Sequence, residues 1–181
     1  MRILNVALVT LTAISLSACT VPGWMPRGDA DPGEILLPGK STTLLFFTNV
    51  ANFDSEVGLE ASAQYKLTIT RLSNWVDSSI ETNEKNQDLD QYGFADSLMP
   101  LAAMALLKRS RDHNWFELML LQANCKGSSL RGISDLNFDE ASGSYNFVAT
   151  CDGKLSLYVN DSHGFYGNNS GFASISLSRV N

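Results

Sequence analysis

A glycine-rich segment near the end of the chain carries oxygen-donor side chains at close spacing. Asp161, Asn168 and Asn169 lie between two alternating runs in LYVNDSHGFYGNNSGFASISLSRV, residues 157–180. Calcium prefers six to eight oxygen ligands, taken from carboxylates, amide side chains, backbone carbonyls and water. One carboxylate and two amides would leave the ion under-neutralised and open on one side, which suits capture of vicinal hydroxyls. The segment therefore indicates a calcium site that can also hold a sugar.

Three glycines in this segment, Gly164, Gly167 and Gly171, allow a tight backbone path. That path would turn the side-chain oxygens, and a carbonyl such as that of Phe165, toward one point. A hairpin needs only two to five connecting residues, so the segment is longer than a turn requires. The alternative interpretation is a long Asn/Gly-rich hairpin that binds nothing.

The same segment resembles the C-terminal motif of the bacterial calcium-dependent galactophilic lectins, the PA-IL-like family. The family pattern is an apolar strand, Asn-Asp, a short loop, Tyr-Gly-Asn-Asn-Ser-Gly and a final alternating strand. Here Asn-Asp stands at 160–161 and Tyr-Gly-Asn-Asn-Ser-Gly at 166–171. The resemblance implies a galactose-binding-like β-sandwich of the jelly-roll type that binds calcium and carbohydrate. The implied calcium ligands are the side chains of Asp161, Asn168 and Asn169 and the carbonyl of Phe165, and Asp161 and Asn168 are also implied to contact the sugar.

A fainter resemblance lies upstream, in YKLTITRLSNWVDSS, residues 65–79. In the family, an early strand ends near a tryptophan and then donates a backbone carbonyl to the metal. Trp75 would be that tryptophan, and a carbonyl near Asp77 or Ser78 would be the donor. Trp75 and Asp77 are therefore expected at the ligand site. The family's His-Pro loop, which grips the sugar, has neither residue in the corresponding stretch NQDLDQYGF.

The elements that must position these residues are β-strands, because the dominant hydrophobic period from residue 41 onward is two. The pattern predicts an all-β structure of stacked antiparallel sheets, each with one face on the core. A single short helix is predicted in PLAAMALLKR, which begins with proline, is rich in helix formers and ends on basic residues. Amphipathic strands are predicted within 65–70, 145–151, 155–160 and 173–178, and central strands, apolar on both faces, within 44–50 and 115–125.

The start of the chain has the features of a bacterial lipoprotein signal. Arg2 precedes an apolar run, and Leu16-Ser17-Ala18-Cys19 resembles the lipobox at which such proteins are cleaved and acylated. A transmembrane anchor is the weaker alternative, because the run is shorter than the roughly 20 residues of a spanning helix. We expect residues 1–18 to be a signal peptide, Cys19 to be lipidated, residues 19–40 to form a Pro/Gly-rich tether and residues 41–181 to form the sandwich.

The expected location is therefore the bacterial cell envelope, with the lipid in a membrane. The residue after Cys19 is Thr20 and not the aspartate that often signals inner-membrane retention, so the outer membrane, on its periplasmic or surface face, is favoured. In an exported protein disulfides persist, and Cys125 and Cys151 are predicted to form one.

The formal charge of −6, which becomes −7 without residues 1–18, argues against nucleic acid as a partner. The chain has only two histidines and no recognised hydrolase or phosphate-binding motif, so no enzymatic activity is predicted. The expected function is a lipid-anchored, lectin-like sandwich that binds calcium and carbohydrate. The alternative is a structural or protein-interaction lipoprotein of the envelope, whose loop is only a calcium staple or an ordered turn.

Overall fold

The computed structural model describes residues 32–181, which form an all-β sandwich of two five-stranded sheets. The fold class predicted from the sequence is thus confirmed. The predicted signal peptide, Cys19 and the first part of the predicted tether lie outside the described residues. The strands are β1 (Glu34–Ile35), β2 (Ser41–Phe47), β3 (Phe53–Leu59), β4 (Gln64–Asp77), β5 (Leu118–Gln122), β6 (Arg131–Gly132), β7 (Asn137–Asp139), β8 (Ser144–Val148), β9 (Gly153–Val159) and β10 (Asn169–Arg179).

The first sheet has the strand order β1-β3-β9-β5-β6, and the second has the order β2-β10-β4-β8-β7. Neighbouring strands are antiparallel, except that β1 runs parallel to β3. β4 and β10 are the longest strands and lie side by side at the centre of the second sheet. The chain passes from β9 of the first sheet to β10 of the second through residues 160–168, which is the predicted calcium loop.

The period-two pattern correctly identifies the face of β4 and β10 that lies on the core. Tyr65 and Leu67 of β4 are fully buried, as are Ala173, Ile175 and Leu177 of β10. The intervening Ser174, Ser176 and Ser178 are only half-buried on the opposite face. Burial of alternate side chains fixes the register, because a slip by one residue would turn the apolar set outward.

Two strands differ from the prediction. β2 is an edge strand and not a central one, with Leu44 and Phe46 buried but Leu45 and Phe47 exposed by 50% and 43%. β9, predicted to be amphipathic, is buried on both faces, because it is the middle strand of its sheet and a turn at Ala123–Ser129 packs on it. The predicted central strand in 115–125 is confirmed, since all five residues of β5 are buried.

The predicted α-helix in PLAAMALLKR is wrong. This stretch instead contains a 3₁₀ turn at Ala102–Leu107, and a second 3₁₀ turn at Asp96–Leu98 precedes it, so that the segment with the two 3₁₀ turns spans residues 96–108. An isolated helix of about ten residues is marginal in water, so tertiary contacts decide its conformation. Here the buried ammonium of Lys108 pairs with Asp96 at 2.6 Å, which draws the two ends of the segment together.

Cys125 and Cys151 form the predicted disulfide. Part of the predicted tether also belongs to the folded domain. Glu34 and Ile35 pair with β3, and the Gly39 amide donates to the Arg179 carbonyl at 3.0 Å. Within residues 32–181, no helix is long and apolar enough to cross a membrane.

Candidate metal centre

The last residue of β4 and the first residue of β10 bring two oxygen-bearing side chains together. Asp77 and Asn169 are direct cross-strand partners. Side chains at such positions lie on the same face of the sheet, with Cβ atoms about 5 Å apart. Asp77 is 5% exposed and Asn169 is 6% exposed, so both polar groups are removed from bulk water.

Asp161 approaches the same point from the end of β9. Its Oδ2 accepts a hydrogen bond from Asn169 Nδ2 at 3.0 Å, and its Oδ1 accepts one from the Ser162 amide at 2.6 Å. Asp161 is 3% exposed. The connection between the two sheets therefore places a second buried carboxylate beside the Asp77–Asn169 pair.

The amide of Asn169 has one oxygen left over. Its Nδ2 donates to Asp161 and to the Thr48 carbonyl. These bonds fix the orientation of the amide, because a flipped amide would place Asn169 Oδ1 against those two acceptor oxygens. Asn169 Oδ1 is buried and has no hydrogen-bond partner in the described chain. Buried polar atoms are nearly always satisfied, so this oxygen is suited to a ligand that the protein atoms do not supply.

The two carboxylates line one cavity of about 310 Å³, which Phe165 and Asn168 line as well. Asp77, Asp161, Phe165 and Asn168, all predicted from the sequence, are thus brought together. Asn169, which was also predicted, contacts these residues through its hydrogen bond to Asp161. Asn168 and Phe165 are exposed, so this side of the cavity is open to solvent.

The cavity is a strongly acidic environment. Burial, and then the charge of Asp161, raise the pKa of Asp77 from 3.8 to about 7. Burial also raises the pKa of Asp161, although its hydrogen bonds from Asn169 and Ser162 and the charge of Arg109 oppose that rise. No hydrogen bond from the described residues reaches the Asp77 carboxylate. A divalent cation between the two carboxylates would remove their repulsion and favour both ionised forms.

The atoms around the cavity that could contact an ion are oxygens. Residues 32–181 contain no group of three or more His, Cys, Asp or Glu side chains placed to hold a metal ion. The oxygens available are those of two carboxylates, amide side chains and backbone carbonyls, which are the ligands that calcium prefers. The residues present therefore fit the ion that the sequence predicts, with Asp77 as a second carboxylate.

Of the two tryptophans near the site, the one that lines the cavity is not the one predicted. Trp75 lies in the core, where its Nε1 donates to the Phe116 carbonyl at 3.2 Å and its ring packs edge-on against Phe116. Trp115, paired with Phe94 by a β-bridge, lines the cavity instead. Trp75 lies near the end of an alternating run and Trp115 at the start of an apolar run, and neither pattern shows which tryptophan reaches the cavity.

The strand that follows the loop requires one glycine. Gly171 has a φ of +125°, and a Cβ there would lie 2.2 Å from the Asn74 carbonyl oxygen. Its own carbonyl accepts hydrogen bonds from the amide and hydroxyl of Thr48. Gly164 and Gly167, by contrast, have open space where a Cβ would be and no left-handed φ. Only one of the three glycines predicted to shape the loop is therefore required by its geometry.

We expect Gly171→Ala to lower the free energy of unfolding by about 2–4 kcal/mol, because β10 must shift away from β4 or accept a strained φ. Gly167→Ala is the matched control and should change stability by less than about 0.5 kcal/mol. Urea unfolding of both variants checks the prediction. Equal stability of the two would show that the close approach of β10 to Asn74 is not needed.

Arg109, in the basic run KRSR at residues 108–111, also supports the loop. The guanidinium of Arg109 lies over the Tyr158 ring, 3.4 Å from its centroid, and donates to the Tyr166 hydroxyl at 3.0 Å. Asn160 holds the neighbouring turn, because its Oδ1 accepts from the Ser110 amide and its Nδ2 donates to the Asn114 carbonyl. These contacts fix both ends of the connection that carries Asp161.

A Ser–His–Asp chain lies close to this turn. Ser110 Oγ is 2.6 Å from His113 Nδ1, and His113 Nε2 is 2.8 Å from Asp135 Oδ2. The His113 side chain is thus contacted at both ring nitrogens and is largely buried. In serine hydrolases the serine contacts Nε2 and the acid contacts Nδ1, which is the reverse of this order. We interpret the chain as a structural link between two turns.

Comparison with known proteins adds no relative. No protein-family model matches the chain, and a search of curated proteins finds no significant match.

Proposed function

We propose that the protein is a lipid-anchored bacterial envelope protein whose sandwich, of the galactose-binding-like class, binds calcium and, through calcium, a carbohydrate. One observation carries the proposal: two buried carboxylates, Asp77 and Asp161, line one cavity beside the unpartnered Asn169 Oδ1. Calcium would be held by these three side chains, with oxygens of Asn168 and Phe165 on the open side. The resemblance of the loop to the calcium-dependent lectins supports the carbohydrate part.

The open side of the cavity is what suits a sugar. Asn168 and Phe165 are solvent-exposed, whereas Asp77, Asp161 and Asn169 are buried. An ion bound to the buried oxygens would keep coordination positions toward solvent, and two adjacent sugar hydroxyls can fill such positions. In this proposal the exposed amide of Asn168 would hydrogen-bond a hydroxyl of the same sugar.

The alternative function is a structural or protein-interaction role in which the loop is only an ordered turn. Hydrogen bonds within the loop favour it: the Ser78 amide donates to the Asn168 carbonyl at 3.2 Å, and the Asn168 amide donates to the Phe165 carbonyl at 3.1 Å. These bonds order the loop without an ion. The two functions differ in whether any glycan binds.

A glycan array probed with and without calcium distinguishes them. With calcium we expect binding to a restricted set of glycans, lost in EDTA and reduced at least about 100-fold in Asp161→Asn, since that substitution removes one of two charges on the ion. Asp112→Asn is the matched control, because Asp112 is an exposed carboxylate outside the cavity. An array that stays blank with calcium present, together with capture of an envelope protein, would favour the alternative.

A further inference from the structure

The cavity at the candidate metal centre is lined by two chemically different sets of residues. The polar set includes Asp77, Asp161 and Asn168. The apolar set, which we call the apolar wall, comes mainly from the segment with the two 3₁₀ turns. Its lining residues are Leu98, Met99, Pro100, Met104 and Leu107.

This apolar wall does not suit a bare sugar. Sugar hydroxyls placed against leucine, methionine and proline side chains would lose hydrogen bonds to water and gain none, which costs free energy. Leu98 and Leu107 are 37% and 46% exposed, so the wall leaves apolar surface in contact with water. An apolar group of a ligand would cover that surface favourably.

A buried tryptophan, Trp115, belongs to the same cavity. It is 1% exposed and lines the cavity, and its Nε1 has no hydrogen-bond partner among the described residues. An indole N–H is a donor only, so a water molecule or a ligand oxygen would supply its acceptor. A ligand oxygen that links a polar head to an apolar group can supply that acceptor.

We propose that the natural ligand is amphipathic: a glycoside whose alkyl or acyl chain lies against the wall of residues 98–107 while its hydroxyls reach the calcium at Asp77 and Asp161. This inference rests on the proposed calcium-dependent function and adds the chemical class of the ligand. The calcium at Asp77 and Asp161 would select a head group with two adjacent hydroxyls that can chelate the ion. The apolar wall would increase the binding affinity in proportion to the area of the alkyl or acyl chain that it buries.

The test compares methyl and octyl β-glycosides of galactose, glucose and mannose, each far below its micellar concentration. The protein is the chain from Thr20 onward, which retains every described residue, and binding is measured by calorimetry in calcium and in EDTA. We expect at least one octyl glycoside to bind at least about 30-fold more tightly than its methyl counterpart, because most of the added methylenes leave water. This binding should disappear in EDTA.

Two neighbouring leucines provide a matched pair of variants. Leu107 lines the cavity, whereas Leu106, which is 62% exposed, does not. Leu107→Asn should remove most of the octyl advantage and leave calcium affinity unchanged, and Leu106→Asn should change neither. Both substitutions are at exposed positions, so folding is expected to be preserved in each.

The outcomes separate the inference from the function on which it rests. If calcium binds but no octyl glycoside exceeds its methyl counterpart, the inference is overturned and the calcium site stands. Equal loss of the octyl advantage in Leu106→Asn and Leu107→Asn, or octyl binding that persists in EDTA, also overturns it. If calcium itself does not bind, the proposed function and the inference both fail.

Discussion

An Asp77→Asn variant is expected to lose calcium binding and yet to be more stable than the wild-type chain when calcium is absent. Asp77 is buried opposite Asn169 and near Asp161, and its pKa is raised from 3.8 to about 7. Above pH 7 the folded protein must hold an ionised carboxylate that the unfolded chain holds at no cost. Asparagine has nearly the same shape as aspartate but carries no charge, so the substitution removes the cost of the buried ionised group.

We expect Asp77→Asn to raise the free energy of unfolding by on the order of 2–3 kcal/mol at pH 8 in EDTA. Each unit of pKa shift corresponds to about 1.4 kcal/mol, and solvent relieves part of the cost of burying the ionised carboxylate. In the same variant calcium affinity should fall at least about 100-fold, because the ion loses one of its two carboxylates. Urea unfolding in EDTA and calcium calorimetry measure the two effects. Asp112→Asn is the control for both. A variant that is less stable than wild type in EDTA would contradict the electrostatic account of the cavity.

Calcium affinity is expected to depend steeply on pH below 7. With a folded pKa of about 7, Asp77 is protonated at pH 5.5 and must release its proton when the ion binds. Linkage then predicts that affinity rises about tenfold per pH unit up to pH 7 and flattens above it. Titrations in buffers of different ionisation enthalpy should show close to one proton released per calcium at pH 6.

The stability of the calcium-free protein should change with pH in the opposite direction. Between pH 3.8 and about 7 the folded chain binds more protons at Asp77 than the unfolded chain does. This contribution to the free energy of unfolding is therefore fully present below pH 3.8 and is lost as the pH rises toward 7. Asp77→Asn should remove this contribution and the pH dependence of affinity. A wild-type affinity that is constant from pH 5.5 to 8 would show that the site binds without displacing a proton.

The parts of the fold that were predictable from the sequence are those in which one face of a strand is buried. Alternation is regular over residues 64–67 of β4 and 173–179 of β10, where each strand has the core on one side and half-buried or exposed residues on the other. β2 and β9 were assigned wrongly because the neighbours of a strand, and not its own residues, decide its exposure. Leu45 and Phe47 look like core residues in sequence, yet they lie on the outer face of an edge strand.

The candidate site was predictable where its residues are close in sequence. Asp161, Asn168 and Asn169 stand in one loop, and their oxygens indicated calcium directly. The role of Asp77 as a second buried carboxylate depends on the β4–β10 register, which brings it opposite Asn169 from a distant part of the chain. Trp115 and the apolar wall of residues 98–107 enter the cavity only through tertiary packing, and helix propensity pointed to a different conformation there.

The central claim is that Asp77 and Asp161 hold calcium, and calorimetric titration of calcium into the chelator-stripped chain from Thr20 onward tests it most directly. At pH 7.5 we predict saturable heat with one calcium per chain, a higher melting temperature with calcium, and loss of both in Asp161→Ala. The absence of heat and of any melting shift in the wild-type chain would contradict the claim, as would unchanged binding in Asp161→Ala.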